Sequence, residues 1–253
     1  MGNEKPDIVE GNDLPDFNPD DEYLQEIKSP IFYAVQKNIN IQTGQPTILD
    51  FDMQRISQRI NIVFNIRTEG NIKREDLAAP IIELSGACGR FNIADACLDT
   101  TRLYRMAHQV QPDEFTQTGE GTYRCVVHFH TLGVIPSAAK GHLNGPGILQ
   151  VALQVSTPQL DSSGAPVVDE EGNPVKNSRY IYGAINPYDE LTAAQLIEVR
   201  DGKIYLRYSK EDVNIEITTP LVIKADQIVP NDTGMGWQPH DPTNPDDDII
   251  IEI

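Results

Sequence analysis

Two histidines, three cysteines, two runs of acids and a pair of tyrosines are the residues of this chain that could do chemistry. His128 and His130 stand two apart. On an extended strand that spacing sends both imidazoles to one face, as a metal site of the carbonic anhydrase kind uses. A third ligand is needed, and neither a helix nor a nearby acid pair offers one in sequence. Solvent-facing strand histidines are the plainer reading. Asp20-Asp21-Glu22 and Asp246-Asp247-Asp248 could hold calcium weakly, but neither has the spacing of an EF-hand loop. No serine lies in a G-x-S-x-G elbow. Gly145-Pro146-Gly147 precedes a strand rather than a helix, so it reads as a tight turn or bulge and not as a phosphate cradle. Tyr180 and Tyr182 share one strand face and could stack against a sugar ring. These residues point to no catalytic centre, no cofactor and no metal.

Cys88, Cys97 and Cys125 form an odd, sparse set with no C-x-x-C pair, which removes zinc-ribbon and thioredoxin-like chemistry. Cys88 and Cys97 could bridge a loop. Cys125 shares a strand face with Tyr123, Val127 and Phe129, where a free thiol acts as a small apolar side chain. Three free thiols are the expectation.

The elements that must position these residues are strands. In Arg59-Ile60-Asn61-Ile62-Val63-Phe64-Asn65-Ile66-Arg67, Ile60, Ile62, Phe64 and Ile66 point one way while Asn61 and Asn65 point the other. Period-2 alternation is what a sheet needs when one face packs on a core and the other meets water. Similar runs cover residues 30–41, 80–86, 123–134, 147–157, 179–182, 203–208 and 212–219. Residues 158–178 form a long polar excursion that reads as a protruding hairpin. Only residues 188–199, opened by Asp189-Glu190, look helical. About ten strands with one short helix and no visible repeat of fixed period make an all-β sandwich.

The chain carries 253 residues and a net charge of −18. Nine acids fall in residues 1–26 beside Lys5 alone, and six fall in residues 231–253 without any Lys or Arg. Such a surface repels phosphate backbones and anionic lipid, which argues against nucleic-acid binding. Three regions follow: an acidic flexible leader over 1–26, a sandwich domain over 27–230, and an acidic tail over 231–253. The tail ends in Ile249, Ile250, Ile251, Glu252 and Ile253, a strand former where chain ends are usually polar. Burying its three in-phase isoleucines gains about 5–9 kcal/mol, and ordering five residues costs about 5–10 kcal/mol, so main-chain ladder bonds decide its docking. It could close its own sheet or add to a neighbour's edge, and it is the candidate assembly strand. No run approaches the roughly 20 apolar residues of a spanning helix, and no apolar signal core stands near the start. Either a cytosolic protein or a mature or truncated form fits these facts.

Several segments together resemble the fimbrillin-like surface proteins of the Bacteroides–Porphyromonas group, in their minor-subunit and anchor branch. The carriers are Ser29-Pro30-Ile31-Phe32-Tyr33-Ala34-Val35, Gln58-Arg59-Ile60-Asn61-Ile62, Ile82-Glu83-Leu84-Ser85-Gly86-Ala87-Cys88-Gly89-Arg90 and Gly145-Pro146-Gly147-Ile148-Leu149-Gln150-Val151, with a late Trp237 before the isoleucine-rich end. The resemblance implies transthyretin-like, Greek-key sandwich domains and export to the outer surface. It also implies lipid attachment at an N-terminal cysteine and a role in assembling or anchoring fimbriae, with other fimbrial subunits as partners. Two departures stand out: no lipid-acceptor cysteine lies near the start, and the strand count suits one large domain where family members tend to have two. Asp99-Thr100-Thr101 is similar to the O-glycosylation acceptor of exported proteins in that group. The other class of function open to such a sandwich is a carbohydrate- or ligand-binding module.

Overall fold

The Ile60–Ile66 alternation becomes the central strand of a sheet, and the rest of the molecule is arranged to cover its apolar face. A computed structural model of the chain describes residues 8–10, 22–41, 43–70, 72–143, 145–207, 212–224 and 238–239. In chain order the strands are β1 (Ile8–Glu10), β2 (Glu22–Leu24), β3 (Phe32–Tyr33), β4 (Gln54–Arg55), β5 (Gln58–Glu69), β6 (Ile81–Cys88), β7 (Phe91–Asn92), β8 (Cys97–Leu98) and β9 (Leu103–Gln109). There follow β10 (Phe115–Gly119), β11 (Thr122–Thr131), β12 (Leu149–Pro158), β13 (Lys176–Ile185), helix α1 (Tyr188–Ala193), β14 (Ile197–Arg200), β15 (Lys203–Leu206), β16 (Val213–Lys224) and β17 (Gln238–Pro239).

A four-stranded sheet, ordered β10-β11-β5-β16, packs face to face on a seven-stranded sheet, ordered β1-β2-β9-β6-β12-β13-β17. The chain is an all-β sandwich with one short helix, as its alternation predicts. From the smaller sheet Ile60, Ile62, Phe64 and Ile66 of β5 meet Tyr123, Cys125, Val127 and Phe129 of β11 and Ile215, Ile217, Leu221 and Ile223 of β16. The larger sheet answers with Ile82, Leu84, Tyr104, Met106, Leu149, Val151, Leu153 and Val155. Each fully buried side chain of this size contributes about 1.5–3 kcal/mol before the cost of ordering the chain.

A second core, built from Tyr33, Ile56, Cys88, Leu98, Leu132 and Leu206, lies at one end. The small sheet β14-β15-β8-β7 contributes to it.

Several elements depart from the pattern of the sequence. The helix stops after Ala193, and residues 197–200 pair as β14 with β15 instead of continuing it. Tyr23 and Leu24, acidic-leader residues by composition, are buried, and β2 pairs with β9 in parallel at Tyr23 and Arg105. Residues 34–41, expected to continue a strand from residue 30, carry no regular structure and are mostly exposed. The excursion over 158–178 is more than a hairpin. Leu160-Asp161-Ser162-Ser163-Gly164-Ala165-Pro166-Val167 and Val168-Asp169-Glu170-Glu171-Gly172-Asn173-Pro174-Val175 are two copies of one eight-residue pattern. The amides of Gln159, Val167 and Val175 donate to the carbonyls of Val175, Gln159 and Val167, each at 2.8 Å, closing a three-membered ring at the tip of the β12–β13 ribbon. In each copy the leading aspartate accepts backbone amides two and four residues on, as Asp161 does from Ser163 and Ala165.

Gly86 fixes how the larger sheet bends. Between Ser85 and Ala87 the register of β6 against β9 shifts, and Gly86 takes φ +84° at the bulge. A Cβ there would stand 2.7 Å from the backbone N of Gly147 and the carbonyl O of Ile135. The segment crossing at that point is held by Ile135 N–H to Gly86 O (2.9 Å) and Gly147 N–H to Ser85 O (3.0 Å). Gly86→Ala is therefore expected to cost about 1–3 kcal/mol in a denaturant titration, from left-handed strain plus backbone displacement.

Candidate functional site

A sandwich with open edges can act by adding strands, so the edges come first. On the larger sheet the outermost strands are the three-residue β1 and the two-residue β17. On the smaller sheet one outer strand is β16, twelve residues long, paired in parallel with β5 from Val213 opposite Ile60 to Lys224 opposite Glu69. Among the described residues nothing pairs with its other side. Val213, Ile215 and Ile217, then Leu221 and Ile223, turn inward, while Thr218, Thr219 and Pro220 sit where the register shifts between Ile217 and Leu221. A proline is tolerated there because an edge strand need not donate along its whole length. Main-chain groups along such an edge are a template for another strand.

A polar ladder runs across the outer face of this sheet and ends at β16. His108, on β9, faces Glu114 with Nε2 2.9 Å from Oε2. Glu114 Oε2 also accepts the Gln111 amide at 2.8 Å, and the Val126 amide donates to the Glu114 carbonyl, tying the corner before β10 to β11. Glu114 Oε1 lies 3.7 Å from His128 Nε2. His128 Nδ1 lies 2.7 Å from Asn61 Oδ1, and Asn61 Nδ2 donates to Asn214 Oδ1 at 2.9 Å. With the Asn61 amide so oriented, the imidazole is the donor at Nδ1. Burial works against ionisation of Glu114, yet the Gln111 amide, the His108 hydrogen bond and the positive charge of the two imidazoles hold its carboxyl below the usual carboxylate range. The ladder crosses in register, since His128 and Asn214 both stand opposite Asn61. It pins the edge strand. Outward alternation in β5 and β11 carried part of this signal; Glu114 and His108 carried none, because a turn delivers Glu114 and His108 belongs to a strand of the other sheet.

His128 and His130 are not the solvent-facing pair that their spacing suggests. His130 is buried, with Nε2 3.0 Å from Ser57 Oγ, and its carbonyl accepts the Ile27 amide at 2.8 Å. The two imidazoles serve different partners. Among the described residues no group of three His, Cys, Asp or Glu side chains is placed to hold a metal ion. Burial, helped by the positive charges of Arg55 and Arg59, lowers the His130 pKa below its ordinary value of about 6.5. A depressed histidine binds protons less readily folded than unfolded, so stability falls as the pH drops below about 6.5 and levels off once the folded form also protonates. Thermal unfolding across mildly acidic pH should show that slope, and His130→Gln should flatten it.

Cys88, Cys97 and Cys125 are free and buried. Burial pushes the Cys88 thiol up to about 12 and raises that of Cys125 as well, so both behave as apolar core groups and not as nucleophiles. On the outer face of the larger sheet, Glu83 is 1% exposed; it accepts the Tyr23 hydroxyl and an Arg105 guanidinium N–H, each at 2.8 Å. Tyr180 and Tyr182 stand near this trio with rings 6.2 Å apart and 24° from parallel, packed against Ile81 and Ala152. Asp99-Thr100-Thr101 is a small exposed turn in which Asp99 accepts both the amide and the hydroxyl of Thr101. Trp237, Asp246, Asp247, Asp248 and the assembly-strand residues Ile249, Ile250, Ile251, Glu252 and Ile253 lie outside the described residues. No helix among the described residues is long and apolar enough to cross a membrane. Comparison with protein-family models, with curated proteins and with solved structures gave no match for this chain.

Proposed function

We propose that the chain is a non-enzymatic structural subunit of a cell-surface fibre, a fimbrial minor subunit or anchor that acts in assembly and adhesion. Its activity is shape combined with strand addition between subunits. The observation that carries this reading is β16, a twelve-residue strand whose outer side pairs with no other strand among the described residues, in a chain that also contains a strand-forming isoleucine run. An incoming extended segment gains main-chain hydrogen bonds from such an edge and specificity from alternate side chains. The family resemblance supplies the setting: export to the outer surface, a transthyretin-like, Greek-key form of the sandwich, and lipid attachment as the link to the membrane. The partners are other fimbrial subunits, and the acidic surface disfavours nucleic acid. Removing residues 249–253 should abolish co-assembly with neighbouring subunits while the isolated fold survives. Unchanged co-assembly would take the terminal strand out of the mechanism.

The paired Tyr180 and Tyr182 rings favour one second reading, a glycan-binding module of a surface lipoprotein. Binding on a glycan array that disappears in Tyr180→Ala and Tyr182→Ala would support it, and a blank array would oppose it.

A further inference from the structure

We infer that the polar ladder from Glu114 to Asn214 is a proton-operated switch: the charge on His128 sets which end of the Asn214 amide β16 turns outward. This goes beyond strand addition and does not rest on it, because the coupling belongs to the folded subunit alone.

Hydrogens decide the direction of the ladder. His128 has one acceptor at each ring nitrogen, with Asn61 Oδ1 2.7 Å from Nδ1 and Glu114 Oε1 3.7 Å from Nε2. A charged imidazole carries a hydrogen on both nitrogens and suits both groups. It donates to Asn61 Oδ1, which leaves Asn61 Nδ2 to donate to Asn214 Oδ1 at 2.9 Å. The ladder then runs from donor to acceptor all the way from the ring to β16.

A neutral ring has one hydrogen for the two acceptors. Kept on Nδ1, it leaves the bare lone pair of Nε2 facing the Glu114 carboxylate. Moved to Nε2, it faces that carboxylate favourably and sets a bare Nδ1 against Asn61 Oδ1, two acceptors at 2.7 Å. Asn61 relieves the clash by turning its amide over, so that Nδ2 donates to the ring and Oδ1 faces Asn214. Asn214 must then turn as well and donate. Glu114 selects this second arrangement because its carboxylate stays ionised. Burial opposes that ionisation, but the Gln111 amide, the His108 hydrogen bond and the two imidazoles outweigh it.

Asn214 is exposed, so the reversal reaches the surface. With His128 charged, β16 turns the Asn214 NH2 group outward; with His128 neutral, it turns the carbonyl oxygen outward. A neighbouring chain beside β16 meets a donor in the first state and an acceptor in the second. The other charged groups around the ladder come from four strands. His108 of β9 faces Glu114 Oε2 with Nε2 at 2.9 Å and keeps that hydrogen whether neutral or charged, so its titration reverses no bond. Arg59 of β5 and His130 of β11 form the next outward pair beyond Asn61 and His128. Asp212 and Glu216 flank Asn214, and Asp212 pairs with Arg55 at 3.5 Å.

The test is NMR of the nitrogen-labelled full chain, following the His128 ring and the Asn61 and Asn214 side-chain amides from about pH 5 to about pH 8. Both His128 nitrogens should carry hydrogen at the acid end, and Nε2 alone at the other. The Asn214 amide signal should shift with the same midpoint as the His128 ring. Asn61→Ala should leave the ring titrating and abolish the Asn214 shift, while His128→Gln should hold that signal constant. If one variant fails to fold, the other carries the comparison. A ring that keeps one charge state over the whole range overturns the inference, as does a neutral ring with its hydrogen on Nδ1. So does an Asn214 signal that stays still while His128 titrates. A signal that moves as before in either variant also overturns it and assigns the shift to His108, Asp212 or Glu216. None of these readouts involves strand binding, so the switch and the strand-addition reading can fail separately.

Discussion

Phe64→Ala is expected to lower the unfolding free energy by about 3–5 kcal/mol, the usual cost of emptying a large aromatic site in a core. Phe64 lies at the middle of β5, directly between Cys125 of β11 and Ile217 of β16, and is fully buried. Its flanking strands are tied by ladder bonds and by the Asn61 bridge, so they cannot collapse into the space. For a chain of this size each kcal/mol shifts the melting temperature by about 2–4 °C. Val63→Ala, one residue along and half-buried on the other face, is the control and should cost about 1 kcal/mol or less. Equal losses in the two variants would mean that the sandwich interior is not where β5 faces.

Arg105→Ala should cost a similar amount, about 3–5 kcal/mol, for a different reason. Glu83 stays buried on the outer face of β6 after its guanidinium partner is gone, with the Tyr23 hydroxyl still donating to it. An uncompensated buried charge is far more costly than an absent pair. The loss should fall towards the lower end, because the Arg105 side chain is 13% exposed and water can follow into its place. Tyr23→Phe removes one hydrogen bond to the same carboxylate and should cost about 1.5–3 kcal/mol. The double replacement Glu83→Leu/Arg105→Leu should recover part of the loss, since it removes the buried charge, although it also gives up the Tyr23–Glu83 hydrogen bond. Urea titrations of the four proteins decide this. A double variant as unstable as Arg105→Ala would show that shape, and not charge, governs the site.

Alternation located the inward faces of β5, β11, β12 and β16 because burial on one side of a pleated strand imposes a period of two. It failed where a strand is covered on both faces. All eight residues of β6 are buried, polar Glu83 and Ser85 included, and nothing in their spacing announces that Tyr23 and Arg105 will cover Glu83. Residues 30–41 alternate as well, but only Phe32 and Tyr33 pair, because no second surface lies above the rest among the described residues. The repeat over 160–175 is short and polar and carries no hydrophobic period. Of the candidate site, β16 was legible from the phase of Val213, Ile215 and Ile217. Its place at an edge and its parallel pairing were not, because strand order comes from long-range contacts. The approach of Glu114 to His128 likewise depends on the turn between β9 and β10, which sets Glu114 between His108 of the larger sheet and His128 of the smaller one.

Hydrogen exchange along β16 tests the central claim most directly, with and without a peptide of sequence Asp248-Ile249-Ile250-Ile251-Glu252-Ile253. If the open edge accepts a neighbour's strand, amides of residues 213–224 that face away from β5 should slow markedly in the presence of the peptide, while those paired with β5 stay as they were. Unchanged exchange along β16, under conditions in which the subunits still assemble, would contradict the account.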